Sequence, residues 1–173
     1  LDDPRVETIG EALRRTTRKS IGIVSNAEVQ DATPAALVAH TRKRADKAEI
    51  TGMFHDVQPD VLLGGGAAYF LKSDQPGSKR KDDQDYLQLF KDAGYAVATT
   101  KAELDAAAGS NSGKLLGLFH PGNMDTWLDR NQLKKGTVEQ FPDQPGLVDM
   151  TRAALDQLSK NPEGFFLMVE AAS

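Results

Sequence analysis

The sequence predicts an α/β protein whose mainly parallel sheet carries helices on both faces. Helical and extended patterns alternate along the chain, as they do in successive βαβ units. The strand-like runs at 61–63 and 164–170 are apolar at consecutive positions, which fits strands that are covered by helices on each side. Polar segments rich in Pro, Gly, Lys and Asp at 71–85 and 129–146 predict surface loops.

Each predicted element follows from a local pattern. The first helix, 5–16, places Ile9, Ala12 and Leu13 on one face, and the Thr-Pro step before 34–44 favours a helix N-terminus. No repeat or long linker divides the chain, so residues 1–173 predict a single domain. The other predicted helices are 85–93, 101–108 and 146–160, and the predicted strands are 20–25, 61–63, 95–99, 115–119 and 164–170.

The composition gives no reason to expect a nucleic-acid or membrane partner. Hydrophobic residues make up 39% of the chain and the net charge is −4, so no basic surface is indicated. No apolar run reaches the roughly 20 residues that span a bilayer. The absence of cysteine excludes disulfides and cysteine-ligated zinc. The chain starts without an initiator Met or a signal peptide and stops shortly after an apolar run, and we interpret both ends as cuts.

Acidic residues fall where two predicted strands end. Asp31 and Thr33 follow the strand 20–25, and Glu170 closes the strand 164–170. Open α/β sheets bind ligands at the carboxyl ends of their strands, and oxygen-only side chains suit magnesium or calcium rather than zinc. Asp31, Thr33 and Glu170 are therefore a candidate cation site. The alternatives are a helix N-cap for the first two and a solvated carboxylate for Glu170.

Arg44 is a candidate for binding phosphate, because an arginine can hold a phosphate through two parallel hydrogen bonds. It lies eleven residues after Thr33, close to three helical turns. Eleven residues of straight helix rise about 16 Å. Arg44 therefore serves a substrate at some distance from the ion, or else the helix ends early. The alternative role is a cation that stabilises the C-terminus of the predicted helix 34–44.

Other motifs indicate structure rather than chemistry. The Gly64-Gly65-Gly66 run lacks the Lys-Ser/Thr of a P-loop and predicts a tight strand exit. His40, His55 and His120 show no metal-ligand spacing, so we predict structural or surface roles for them. No Ser lies in a Gly-x-Ser-x-Gly elbow, so a serine esterase triad has no support.

Several segments resemble a bacterial alkaline phosphatase. Residues 24–40, with Asp-Ala-Thr-Pro-Ala-Ala at their centre, are similar to a long segment of that family. The Asp-Val-Leu-Leu-Gly-Gly-Gly run at 60–66 resembles the family's Asp-Val-x-Leu-Gly-Gly-Gly. Similar blocks at 115–124 and 150–170 follow in the family's order. The resemblance spans almost the whole chain after residue 8.

The resemblance implies a phosphomonoester hydrolase with two zinc ions and one magnesium ion, and a partial three-layer α/β sandwich of the alkaline phosphatase kind. Thr33 and Glu170 would be magnesium ligands, Asp31 would contact that ion through water, and Arg44 would hold the substrate phosphate. Family members attack phosphate with a serine. That serine and the zinc ligands would lie outside these 173 residues, so we expect no catalytic residue here and no activity from this chain alone. The resemblance also implies a homodimeric parent enzyme in the periplasm or outside the cell.

Two alternatives stay open at this point. One is a piece of a related sulfatase or phosphonate hydrolase, which a different nucleophile would reveal. The other is a non-catalytic α/β module that binds an ion or a partner. The chain also departs from the family pattern, since Ala171 stands where Gly is usual and the segment 45–59 has no cysteine.

Overall fold

Helices and parallel strands alternate in the part of the chain that the structure describes. A computed structural model covers residues 6–109 and 113–172. One-turn segments of 3-10 and π-helix lie at Ala67–Tyr69 and Asp129–Leu133. The helices are α1 (Ile9–Thr16), α2 (Ala32–Ala35), α3 (Lys47–Val57), α4 (Tyr86–Asp92), α5 (Lys101–Ala108) and α6 (Leu147–Leu158). The strands are β1 (Ser20–Glu28), β2 (Val61–Gly65), β3 (Tyr95–Ala98), β4 (Lys114–Leu118) and β5 (Phe165–Glu170).

The strands form one sheet in the order β3-β4-β2-β1-β5, and every neighbouring pair is parallel. β1 lies between β2 and β5, with Gly22 opposite Val61 on one side and Leu167 on the other. Because the strands are parallel, their carboxyl ends open at the same edge of the sheet. We call this side the carboxyl edge and the opposite side the amino edge.

Helices cover both faces of the sheet, and each face has its own apolar cluster. Ile23 of β1 packs with Phe54 of α3 and Phe90 of α4 in one cluster. The next residue, Val24, packs with Met150 of α6 in the other. Successive strand residues point to opposite faces, so a strand that is covered on both sides must be apolar throughout. The predicted fold class is confirmed.

The predicted helix over 34–44 is wrong. α2 contains only Ala32–Ala35, and residues 36–46 form turns and irregular backbone. The helix ends early because of a tertiary contact at Leu37, whose carbonyl oxygen accepts a hydrogen bond from the Gly10 N–H at 2.8 Å. That tertiary contact replaces the bond to the next helical turn, and the chain leaves the helical path. We call residues 36–46 the arginine loop.

The remaining elements lie within a few residues of their predicted bounds, with two further differences. β1 continues to Glu28, three residues beyond the predicted strand 20–25. α3 has no counterpart among the predicted helices. In the described residues there is no helix that is long and apolar enough to cross a membrane.

Candidate functional site

β1 and β5 bring Ser25 and Glu170 together at the carboxyl edge. The two residues lie opposite each other in the parallel register, and the Ser25 hydroxyl donates a hydrogen bond to Glu170 Oε2 at 2.7 Å. Asn26 fastens the chain beyond β5, since its Nδ2 donates to the Ala172 carbonyl at 2.9 Å and its Oδ1 accepts from the Ala172 N–H at 2.7 Å. Glu170 is therefore a half-buried, hydrogen-bonded carboxylate.

Asp31 and Arg44 form an ion pair at the same edge. Asp31 precedes α2 in the N-cap position, but its side chain makes no capping hydrogen bond. Nη2 of Arg44 lies 2.5 Å from Oδ1 of Asp31. The pair forms because α2 ends early and the arginine loop returns toward β1. A straight helix over 34–44 would have placed Arg44 about 16 Å from Thr33. Because that helix does not form, Arg44 can reach Asp31.

The surroundings of Asp31 favour its ionised form. Partial burial raises its pKa, but the hydrogen bond from Arg44, the Ala32 N–H and the positive charges of Arg44 and Lys47 lower it, and the net pKa lies below the ordinary value of 3.8. The Arg44 side chain is 69% exposed and that of Asp31 is 30% exposed. An ion pair this exposed contributes at most about 1 kcal/mol, so the guanidinium can exchange partners at low cost.

A second acid–base pair, Glu28 with Lys47, was not predicted from the sequence. Nζ of Lys47 donates a hydrogen bond to Oε2 of Glu28, and the two side chains are 22% and 8% exposed. The Glu28 N–H donates to Asn123 Oδ1 at 2.9 Å, and the Lys47 ammonium lies 5.9 Å from the centre of the Tyr69 ring. One feature of the sequence could have indicated this pair, since Glu28 lies directly after an apolar strand run. Glu is rarely buried unless it is paired, so a basic partner was to be expected.

The Gly64-Gly65-Gly66 run passes very close to the backbone of Gly122, beside the Glu28–Lys47 pair. A Cβ built on Gly65 would lie 2.1 Å from the carbonyl oxygen of Gly122, and Gly66 has φ of 87°. The Gly66 N–H donates to that same Gly122 oxygen at 2.9 Å. His120 supports the crossing, since its Nδ1 accepts from the Gly122 N–H at 3.0 Å. The run is therefore a tight strand exit, as predicted.

The predicted cation ligands all belong to elements of the carboxyl edge. α2, which carries the exposed Thr33, has Cα atoms within 8 Å of both β1 and β5. Within residues 6–109 and 113–172, however, His, Cys, Asp and Glu side chains form no group of three or more that could hold a metal ion. Asp31, Thr33 and Glu170 supply two carboxylates and a hydroxyl, all oxygen donors. This set fits part of a magnesium shell, which needs near-octahedral coordination.

A parallel α/β sheet with acidic side chains and an arginine at its carboxyl edge has the form of a ligand-binding or catalytic domain. The alkaline phosphatase family profile matches residues 2–173. The chain belongs to the alkaline phosphatase family.

Individual relatives agree with this assignment. The chain is 37% identical to alkaline phosphatase 4 of Bacillus subtilis over 160 residues, which cover 89% of this chain and 30% of that protein. The crystal structure of Thermus thermophilus alkaline phosphatase matches with a TM-score of 0.75 and 32% identity, covering 88% of this chain and 29% of that one. A TAB5 alkaline phosphatase mutant, described with Mg bound in its M3 site, matches with a TM-score of 0.74 and 28% identity, covering 98% and 43%. The chain thus spans 29% to 43% of the length of these relatives.

Proposed function

We propose that this chain is the central segment, and a single partial domain, of a metal-dependent phosphomonoester hydrolase. It carries the magnesium-side residues and the arginine that binds the substrate phosphate. The observation that best supports this function is the Arg44–Asp31 pair, which holds an exposed guanidinium beside the candidate cation ligands. Family membership favours a phosphate monoester over the sulfate ester or phosphonate that related enzymes would use.

The magnesium role is assigned to three oxygen donors. Thr33 and Glu170 would hold the ion directly, and Asp31 would contact it through water. The ion would supply positive charge that polarises a phosphoryl oxygen and orients bound water. The hydrogen bond from Ser25 keeps Glu170 facing the carboxyl edge. Two zinc ions complete the set in the proposed parent enzyme, and none of their ligands is assigned within these 173 residues.

Arg44 would exchange its partner when substrate arrives. A guanidinium has five N–H donors in a planar fork that matches two oxygens of a phosphate. The exposed ion pair with Asp31 holds the side chain at the edge before substrate binds, and it costs little to break. A phosphate dianion competes well for the same donors, because it carries more negative charge than a carboxylate and offers two oxygens to the planar fork. Asp31 would then lose its guanidinium partner, and its carboxylate would be available to the cation site.

The 173 residues alone would not hydrolyse phosphate esters. Such a reaction needs an activated nucleophile and metal ions that stabilise the attacking and leaving oxygens. Binding a substrate without preferential stabilisation of its transition state gives no acceleration. We assign the serine nucleophile to another part of the parent enzyme. We place that enzyme, as a homodimer, in the periplasm or outside the cell.

An assay of the purified 173-residue protein tests this function. A chromogenic phosphate monoester is supplied with zinc and magnesium, and turnover is compared with a blank that contains the metals alone. The expected result is no turnover above the blank, together with phosphate binding that depends on Arg44. Turnover that disappears in an Arg44→Ala variant would contradict the proposal, because it would require a nucleophile within the chain. Phosphate binding without any dependence on Arg44 would favour a general anion-binding module instead.

A further inference from the structure

The first residue of α3 is a lysine, which is an unfavourable choice for that position. The helix macrodipole disfavours a cation in the first turn. The N-cap residue, Asp46, makes no side-chain capping hydrogen bond, because its carboxylate accepts from Thr41 Oγ1 at 3.2 Å. Lys47 therefore adds nothing to the stability of the helix end itself. Its side chain is directed to a carboxylate on another element, Glu28 of β1.

The partner of Lys47 is one of the few charged side chains in the interior. Glu28 is 8% exposed, against 22% for Lys47. Removal of one member of a buried ion pair is strongly destabilising, because it leaves an uncompensated charge. Lys47 therefore cannot leave Glu28 without a large penalty. The pair acts as a permanent attachment of the first turn of α3 to the end of β1.

The Glu28–Lys47 pair and the Asp31–Arg44 pair bridge the same two segments. Glu28 ends β1 and Asp31 follows it by three residues, and the Asp31 N–H donates to the Glu28 carbonyl at 2.9 Å. Lys47 and Arg44 are also three residues apart, at the junction of the arginine loop with α3. One bridge is buried and the other is exposed. Only the exposed bridge can exchange its partner easily.

We propose that Lys47 is a positioning residue for Arg44. By pairing with the buried Glu28, it fixes the end of the arginine loop, so that Arg44 can pass from Asp31 to a phosphate while its backbone stays in place. This inference rests on the proposed function, because it assumes that Arg44 binds the substrate phosphate. Its physical content is pre-organisation: the loop is ordered before the ligand arrives, which lowers the entropy cost of binding.

Direct phosphate binding by Lys47 is the competing role. The ammonium carries a positive charge close enough to Asp31 to lower the pKa of that carboxyl. A move from Glu28 to a phosphate would, however, strip a buried carboxylate of its partner. Arg44 has no such restriction, since its own partner is already open to solvent. The geometry therefore assigns binding to Arg44 and positioning to Lys47.

The test measures the affinity of the 173-residue chain for inorganic phosphate by 31P NMR. The main variant is Glu28→Gln with Lys47→Met, which removes both charges and leaves none unpaired. Lys47→Arg retains the pair. The matched control is Asp60→Asn, because Asp60 pairs with Arg14 at 2.8 Å at the amino edge and is also partly buried.

The double variant should bind phosphate about tenfold more weakly, because the arginine loop would then have to be ordered at the cost of binding free energy. Lys47→Arg and Asp60→Asn should stay close to the unaltered chain. NMR relaxation of the Arg44 Nε–H group should show greater mobility in the double variant and not in Asp60→Asn. Circular dichroism confirms that each variant is folded.

Two results would overturn the inference. A folded double variant with unchanged phosphate affinity would mean that the buried pair does not position Arg44. Equal weakening in Asp60→Asn would mean that general loss of stability is responsible. Arg44→Ala separates this inference from the function on which it rests. If that variant binds phosphate normally, the proposed function fails; if it binds weakly while the double variant binds normally, only the positioning role fails.

Discussion

Arg44 and Asp31, thirteen residues apart in the chain, are joined by a hydrogen bond of 2.5 Å at the carboxyl edge of the sheet. The sequence suggested separate tasks for them, one toward a substrate and one toward an ion. Their contact means that these two charges neutralise each other before any ligand binds. A phosphate and a hydrated magnesium ion would each take over one member of the pair.

The first prediction concerns the ionisation of Asp31. Arg44→Ala should raise its pKa toward the ordinary value of 3.8, because the variant loses a hydrogen bond and a positive charge that lower it. A lowered folded-state pKa contributes stability that is present above the ordinary pKa and is lost as the pH falls through the folded value. The variant should therefore lose less stability on acidification. NMR titration of the Asp31 carboxyl carbon measures the shift, and an unchanged pKa would show that the pair is absent in solution.

The sheet could be predicted from the sequence because its signals are local. The run 61–63 is apolar at every position, as expected for a strand that is covered on both faces, and it is buried in β2. The run 164–170 is apolar from Phe165 to Val169, but Phe165 and Val169 are exposed in the edge strand β5, so the cover expected there on both faces is incomplete. The carboxyl-edge placement of Asp31 and Glu170 followed from parallel strand order alone. The resemblance to the alkaline phosphatase family added the proposed roles of the individual residues, which no spacing rule supplies.

The arginine loop and α3 could not be predicted because tertiary contacts decide them. The Leu37 carbonyl accepts a hydrogen bond from the Gly10 N–H of α1, and nothing near Leu37 in the sequence indicates this contact. Gly52 weakens the helical pattern of α3, since glycine is unfavourable inside helices. In the structure a Cβ at that position would lie 2.7 Å from the Tyr86 hydroxyl, so the glycine permits close packing of another element.

The second prediction concerns magnesium. Isothermal titration calorimetry on the chain should give a Kd no tighter than roughly millimolar, about −4 kcal/mol, because the two proposed direct ligands, Thr33 and Glu170, leave most of an octahedral shell to water. Glu170→Gln should weaken binding further by removing a charged ligand. Asp92→Asn, at the exposed end of α4, is the control and should have no effect. Micromolar affinity would mean that the described chain holds a complete site.

The third prediction concerns the backbone crossing at the strand exit. Gly65→Ala should destabilise the fold by about 1–3 kcal/mol, the usual cost of forcing extra atoms into a packed interior. The added Cβ would meet the Gly122 carbonyl at 2.1 Å, and a backbone atom cannot rotate away. Gly113→Ala is the matched control, since nothing lies within 4 Å of its Cβ. Urea unfolding should separate the two variants, and equal midpoints would contradict the close approach.

The fourth prediction concerns the attachment of the chain beyond β5. Asn26→Ala removes both hydrogen bonds to Ala172, each worth about 0.5–1.5 kcal/mol. Hydrogen exchange at the Ala172 amide should become faster, because its only described acceptor is gone. Asn161→Ala is the control, since Asn161 bonds the Arg18 carbonyl and the Ser20 hydroxyl at the amino edge. Equal protection of Ala172 in both variants would show that Asn26 does not hold it.

The most direct measurement is the affinity of the chain for inorganic phosphate, compared between Arg44→Ala and Arg42→Ala. The two arginines are neighbours in the arginine loop, but only Arg44 is assigned to the substrate. The unaltered chain should bind with a Kd near millimolar, about −4 kcal/mol. Arg44→Ala should weaken binding at least tenfold, as expected for loss of charged hydrogen bonds worth about 1.5–3 kcal/mol, while Arg42→Ala should change it little. Equal affinities in the two variants would contradict the assignment of Arg44 as the phosphate-binding residue.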